Sequence, residues 1–157
     1  MKQFKIKKAT VSDTQAIHEV NKECLPLYYQ PFEINTMINS KDHLILIIKN
    51  NKQNKIVGFL LSQYQENRCH ILSFGVSEAY RKQGFGTMLI NSMEEYIGNL
   101  AKIISLYVHI ENEHAINFYK KNLFEITKTV ENYYSIKIGN YLSHNAYFMT
   151  KNVPLRQ

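Results

Sequence analysis

Phe4, Ile6 and Lys8 alternate at the start of the chain with the period-two spacing of a strand. Ser12-Asp13 then offers side-chain oxygens for a helix N-cap, Ile17 and Val20 share one face of the helix that follows, and Pro26 ends it. Leu25-Pro26-Leu27-Tyr28-Tyr29-Gln30-Pro31 is an aromatic loop between two prolines, with a short helix expected around Glu33 to Ile38. Three apolar, β-branched runs come next: His43 to Lys49, Ile56 to Tyr64 and Cys69 to Val76. Short polar turns at Asn50-Asn51-Lys52-Gln53-Asn54 and Gln65-Glu66-Asn67 join them, so they predict an antiparallel meander.

Beyond Val76 the period changes. Phe85, Met88, Leu89, Ser92, Met93, Tyr96 and Ile97 recur at helical spacing and predict a helix with one apolar face on the sheet, stopping near Gly98. A strand at Ile103 to Ile110, a short helix within Asn112 to Phe124, a strand to Val130 and a last strand near Ala146 to Thr150 complete the order. This alternation predicts an α/β fold, a mixed sheet with helices on both faces. With 157 residues and no repeat or linker, residues 1–157 are expected to form one domain. Hydrophobic residues at 45% and charged residues at 20% argue against disorder.

The most informative stretch lies between the third meander strand and the long helix. Ser73-Phe74-Gly75-Val76 runs into Arg81-Lys82-Gln83-Gly84-Phe85-Gly86-Thr87 and straight into the helix. Glycines let a backbone approach a ligand closely, and the free N–H groups of a helix start attract phosphate. Arg81 and Lys82 add two cations, which suits a pyrophosphate; a tight turn alone is the competing reading of such a string. A P-loop would need Gly-Lys-Ser/Thr where Gly86-Thr87-Met88 stands, and a dinucleotide fingerprint would need Gly or Ala in place of Leu89.

The strand, Arg-x-x-Gly-x-Gly, helix order resembles the coenzyme A loop of the GNAT acetyltransferases. Asn112, Ala115, Phe118-Tyr119 and Phe124 resemble the family's second series, with Leu123 where the family commonly has Gly. The resemblance covers about Phe4 to Val153 and implies the single-domain GNAT fold, a mixed, mostly antiparallel sheet whose central strands splay to admit acetyl-CoA. It implies that Phe74, Gly75 and Val76 hold the pantetheine arm, that Arg81 to Thr87 hold the pyrophosphate, and that Tyr119 stands near the thioester sulfur. A phenol's pKa near 10 exceeds a thiol's near 8.5, which makes Tyr119 the candidate proton donor. Asn112 is expected to cap its helix or fix the cofactor arm.

Within the GNATs, Leu25 to Tyr29, Ile71 to Val76 and Asn132-Tyr133-Tyr134-Ser135-Ile136 resemble the N-terminal protein acetyltransferases of the NatE and NatF kind. Those enzymes use a tyrosine on the strand before the loop and a histidine on the strand after it. Here His70 and Tyr107 occupy those positions, an exchanged pair that can still serve a water-mediated proton path, with His109 as a third candidate base. The same resemblance implies that Pro26, Tyr28 and Tyr29 wall one side of the peptide entry and Tyr133 and Tyr134 the other.

An acceptor α-amine suits such weak bases: neutralising it at pH 7 costs roughly 1 kcal/mol, against roughly 4.6 kcal/mol for a lysine. The expected function is therefore acetyl transfer from acetyl-CoA to a protein N-terminus. The alternatives are a small amine or a lysine as acceptor, or a non-catalytic acyl-CoA-binding module.

Charge and special residues change this picture little. A formal charge of +6 with scattered Lys and Arg reads as a solvated surface that attracts a polyanionic cofactor rather than nucleic acid. Cys24 and Cys69 have no metal or disulfide spacing and are expected to be buried and reduced. No His-Glu-x-x-His or Gly-x-Ser-x-Gly appears. Leu44 to Ile48, the longest aliphatic run, cannot span a bilayer, and with Pro154-Leu155-Arg156-Gln157 at the end no membrane anchor is expected. A cytosolic location is expected.

Overall fold

Seven strands form one sheet in the order β1-β2-β3-β4-β5-β7-β6. In the computed structural model, which describes residues 2–155, they are β1 (Phe4–Lys8), β2 (His43–Asn50), β3 (Lys55–Gln65), β4 (Arg68–Val76), β5 (Ile103–His109), β6 (Glu125–Val130) and β7 (Ala146–Asn152). The helices are α1 (Thr14–Cys24), α2 (Pro31–Ile38), α3 (Phe85–Ile97) and α4 (Glu113–Lys121). Met1, Arg156 and Gln157 lie outside the described residues, and with them the last part of the expected tail-less end. Among the described residues no helix is long and apolar enough to cross a membrane.

Every neighbouring pair is antiparallel except β4 and β5, which are parallel and pair only through Arg68, Cys69 and His70 with Ile103, Ile104 and Ser105. Beyond His70, β4 stays with β3 as far as Val76 while β5 stays with β7 as far as His109, so the two strands part. A register shift at Leu61/Ser62 leaves Leu72 without a partner on β3, and a bulge of this kind bends and twists its strand. The bulge sits just past the last β4–β5 pair. The splay that the family resemblance implied is therefore present, with a local cause.

Both faces of the sheet are covered. Leu46, Ile48, Leu60, Ile71, Leu106 and Val108 pack with Leu89, Met93 and Ile97 of α3 and Ile116 of α4. Ile45, Ile47, Phe59 and Leu61 pack on the other face with Ile17 and Val20 of α1 and Ile34 of α2. Leu44 to Ile48 is buried throughout because β2 carries a helix on each side.

Three local expectations need correction. The buried stripe of α3 is Phe85, Leu89, Ile90, Met93 and Ile97, whereas Met88 and Tyr96 are exposed. The i, i+4 row from Phe85 sets the inward direction, and Met88 and Tyr96 fall on its solvent shoulder, where Tyr96 lies under the Lys8 ammonium. Asp13 does not cap α1 through its own side chain; its carboxylate reaches back to the Thr10 N–H at 2.8 Å and closes a 3-10 turn, Val11–Asp13. Of the two free cysteines, Cys69 is buried but Cys24 only half-buried.

Leu123, the departure from the family pattern, has φ 71° and is 73% exposed. A side chain in the left-handed region costs roughly 1–2 kcal/mol, partly offset by the extra freedom glycine has when unfolded. Leu123→Gly is expected to raise the melting temperature by a few degrees. A lower melting temperature would show that the leucine earns its strained backbone through packing.

Candidate functional site

The turn from β4 into α3 is open and has the backbone form the expected anion cradle requires. Lys82 and Gly84 have φ 61° and 84°, and α3 begins at Phe85 with Gly84 as an N-cap that carries no side chain. The first N–H groups of the helix therefore lack a side-chain cap. A Cβ at Gly84 would meet nothing within 4 Å, and Arg81, Lys82, Gln83 and Thr87 are all exposed around it.

Arg81 also braces the turn, its Nε–H donating to the Val76 carbonyl at 2.8 Å. The Glu23 carboxylate accepts from the Glu78 N–H at 2.9 Å and from the Ser77 hydroxyl at 2.8 Å. Those bonds, with Arg81 nearby, hold Glu23 below the usual carboxylate range and tie the turn to α1.

Gly86 differs from Gly84. It lies inside α3 with ordinary backbone, and a Cβ there would stand 2.8 Å from Phe118 Cζ and 3.3 Å from Phe74 Cζ. The absence of a side chain at Gly86 makes room for two aromatic rings. Phe74, Gly75 and Val76 bond to β3 along one edge, and their other edge faces the gap. Asn112 takes the capping branch of its expectation, its Oδ1 accepting from the Ala115 N–H at 3.2 Å.

Tyr119 stands at this gap, packed by Phe74, Phe118 and Phe124. Burial, with Tyr134 close by, holds its pKa far above the ordinary phenol range. That changes the expected chemistry. Handing a proton to a thiolate of lower pKa is uphill, and burial widens the difference, so the Tyr119 hydroxyl is better suited to donating a hydrogen bond than to giving up its proton.

His70 and Tyr107 meet edge to face at 5.3 Å across the last β4–β5 pair. His70 Nδ1 lies 2.8 Å from the buried Ser105 hydroxyl. Burial first, and the Arg68 charge second, push His70 down to about 4. The ring is neutral at physiological pH and holds a proton only weakly, which makes it a poor proton store.

Because the folded pKa lies below the value near 6.5 of an unfolded histidine, the unfolded chain takes up the proton first. This contribution to stability is complete above about pH 6.5 and is lost as pH falls towards 4, by about 2–3 kcal/mol. His70→Asn, which cannot titrate, is expected to lose less stability than the parent between about pH 7 and pH 4.5 in urea unfolding. Equal losses would refute the assignment of a neutral, buried His70.

His109 is excluded as a free base by its bonds. Its Nε2 lies 2.8 Å from the Ser143 carbonyl and its Nδ1 accepts from the Glu111 N–H at 3.1 Å. These bonds require the proton on Nε2 and occupy the lone pair of Nδ1. Stacked on Tyr134 and Tyr141, the ring anchors the β6–β7 loop.

Tyr133 stacks on Tyr107 at 4.3 Å, and its pKa is raised by burial first and then by Tyr107 and Tyr29. Burial, with Tyr133 and Tyr141 nearby, pushes Tyr134 up to about 12. Tyr28 lies against His18 and Lys22, Pro26 is exposed, and Tyr29 packs against the core beneath α1 and α2.

Sequence reasoning missed what holds Tyr29. Its N–H donates to Asn21 Oδ1 at 2.9 Å, and its carbonyl lies 2.9 Å from His18 Nδ1. Asn21 Nδ2 in turn donates to Ser73 Oγ on β4 at 2.9 Å. The available signal was two polar residues, His18 and Asn21, on the same stripe of α1 as Ile17 and Val20.

Comparison with known proteins bears on this geometry. Residues 14–123 match the Acetyltransferase (GNAT) family. The catalytic subunit of the N-terminal acetyltransferase A complex of Arabidopsis thaliana is 31% identical over 97% of this chain and 79% of its own length. Among solved structures, Ard1 from Thermoplasma volcanium superposes with a TM-score of 0.82 at 26% identity, covering 98% of this chain and 99% of that one. Arabidopsis thaliana Naa50 in complex with the bisubstrate analogue CoA-Ac-MVNAL gives a TM-score of 0.77, also at 26% identity, over 96% and 99% of the two chains.

Proposed function

Since this chain belongs to the GNAT acetyltransferase family, we propose that it moves acetyl from acetyl-CoA directly to the N-terminal α-amine of a protein or peptide in a ternary complex. One observation carries the reading. The turn into α3 lies on the α3 face of the sheet, Tyr29 packs with α1 and α2 and Tyr133 on Tyr107 on the opposite face, and β4 and β5 part between them, which supports a donor on one face and a peptide acceptor on the other. The N-terminal acetyltransferase subunit of Arabidopsis thaliana, and Naa50 with its bisubstrate analogue CoA-Ac-MVNAL, support the same acceptor.

The residues present fit the donor. N–H groups from Gln83 to Thr87, with Arg81 and Lys82, would hold a pyrophosphate, and the free edge of Phe74 to Val76 would hold the pantetheine arm and polarise a carbonyl. Bound acetyl-CoA supplies the acyl thioester. Tyr119 donates a hydrogen bond to the sulfur as it gains charge. The balance of protons requires the acceptor amine to lose one while the sulfur gains one. His70 and the Tyr107 hydroxyl order the water path along which the amine's proton leaves, and a base this weak suffices because an α-amine needs only about 1 kcal/mol to become neutral at pH 7. The free Cys24 and Cys69 support the cytosol as the proposed location.

Thiol release from acetyl-CoA should be faster with a free-N-terminus peptide than with the same peptide blocked at its α-amine but retaining lysines. A first residue such as Met should be favoured, since the apolar Leu25 and Leu27 flank the entry loop. Faster acetylation of spermidine or of blocked lysine peptides would overturn the N-terminal reading and leave only acetyl transfer.

A further inference from the structure

Arg68 and Lys128 place two cations over one aromatic ring with no carboxylate to pair them. The Arg68 guanidinium lies 5.3 Å and the Lys128 ammonium 5.4 Å from the ring centroid of Phe148. Among the described residues the ion pairs are Lys7 with Asp13 and Lys151 with Glu94, and neither includes them. Neither charge is neutralised by a carboxylate, so an anion beside Phe148 would be attracted to both.

These residues share the acceptor face. Cys69 and Ile71, Leu106 and Val108, and Met149 belong to the core beneath α3, so the alternation of side chains puts Arg68, His70, Tyr107 and Phe148 on the other side of the sheet. Lys128 stands directly across from Phe148 in the β6–β7 register. The sheet thus separates this cation pair from the pyrophosphate cradle.

An aromatic floor connects the pair to the cleft. Tyr133 stacks on Tyr107 at 4.3 Å, Tyr107 meets Phe148 at 5.0 Å, and Phe148 lies beneath the two cations. On this face α1 and α2 pack against β2, β3 and β4, so the floor over β5, β7 and β6 runs on beyond them. An extended peptide advances roughly 3.3 Å per residue, so from an amine placed beside Tyr107 its side chains pass Phe148 and come level with the cations beyond it roughly two to four residues on.

Resting on the N-terminal reading above, we infer that Arg68 and Lys128 form an anion subsite for the acceptor, binding Asp or Glu side chains two to four residues downstream of the acetylated terminus. Recognition is by charge-assisted hydrogen bonds from a guanidinium fork and an ammonium, so the subsite selects acidic over basic acceptors.

The test compares kcat/KM for free-N-terminus peptides that begin with Met and carry two acidic, two neutral or two lysine residues in the following positions. The parent protein is expected to favour the acidic peptide over the neutral one by about fivefold and to disfavour the lysine peptide, with the ratios shrinking in high salt. Arg68→Glu with Lys128→Glu should invert the order, and Arg68→Gln with Lys128→Gln should flatten it, which keeps the test decisive if the reversed protein does not fold. Lys5→Glu with Lys52→Glu, the same change of net charge on and beside β1 and β2 at the far edge, should keep the parent's order.

Equal ratios in the parent and either Arg68/Lys128 double variant would overturn the subsite, as would an equal shift in the remote variant. Turnover that ignores peptide charge would remove the subsite alone. No turnover on any free-N-terminus peptide would remove the N-terminal reading with it.

Discussion

Tyr119→Phe will lower kcat by roughly 100-fold while leaving acetyl-CoA affinity near that of the parent. The ring remains, so its packing against Phe74, Phe118 and Phe124 is kept, and only the hydroxyl is lost. A single donor aimed at developing charge in a water-poor site is worth about 3 kcal/mol, and that figure sets the size of the drop. Burial keeps Tyr119 protonated throughout the working range, so the loss should be the same at every pH tested. Calorimetry for affinity and steady-state rates for kcat separate the outcomes. Weakened binding with unchanged turnover would make Tyr119 a cofactor ligand instead.

Gly84→Val will weaken acetyl-CoA binding by roughly 10- to 100-fold, with the fold retained. A β-branched side chain at φ 84° is strained, so the turn must reopen, and whatever strain remains is carried into the cradle. The space around Gly84 is open, so no packing is lost. Gly84→Asn should bind better than the valine variant, because Asn tolerates the left-handed region. Gly86→Val is the contrasting case: its branches would enter the Phe118 ring, and overpacking of this kind costs about 1–3 kcal/mol of stability. Unchanged affinity in a folded Gly84→Val protein would remove the cradle as the pyrophosphate site.

Much of the architecture was readable in the chain because its determinants are local. Alternation at Phe4 to Lys8, the apolar run at Leu44 to Ile48 and polar turns of a few residues specify strands and their antiparallel order without reference to anything distant. Gly84 is equally local: a helix start after a left-handed residue needs glycine wherever it stands. The cradle was legible for that reason.

Tertiary structure decided what depends on partners far apart in sequence. Gly86 looked like a second ligand-facing glycine, and only the arrival of Phe118 from α4 shows that it makes room for a ring. In sequence His109 stood as a third candidate base behind His70 and Tyr107. The backbone of Glu111 and the carbonyl of Ser143 occupy His109, while burial and Arg68 lower the basicity of His70. The clamp of Asn21 and His18 on Tyr29, and the two cations over Phe148, join residues that no periodicity links. The sequence by itself determined the elements, their order and the anion cradle, because backbone preference and hydrophobic period act within one element. The protonation of His70 and Tyr119, the stacking of Tyr133 on Tyr107 and the cations beside Phe148 were decided only by folding, because desolvation and Coulomb forces depend on what the fold brings within a few ångströms.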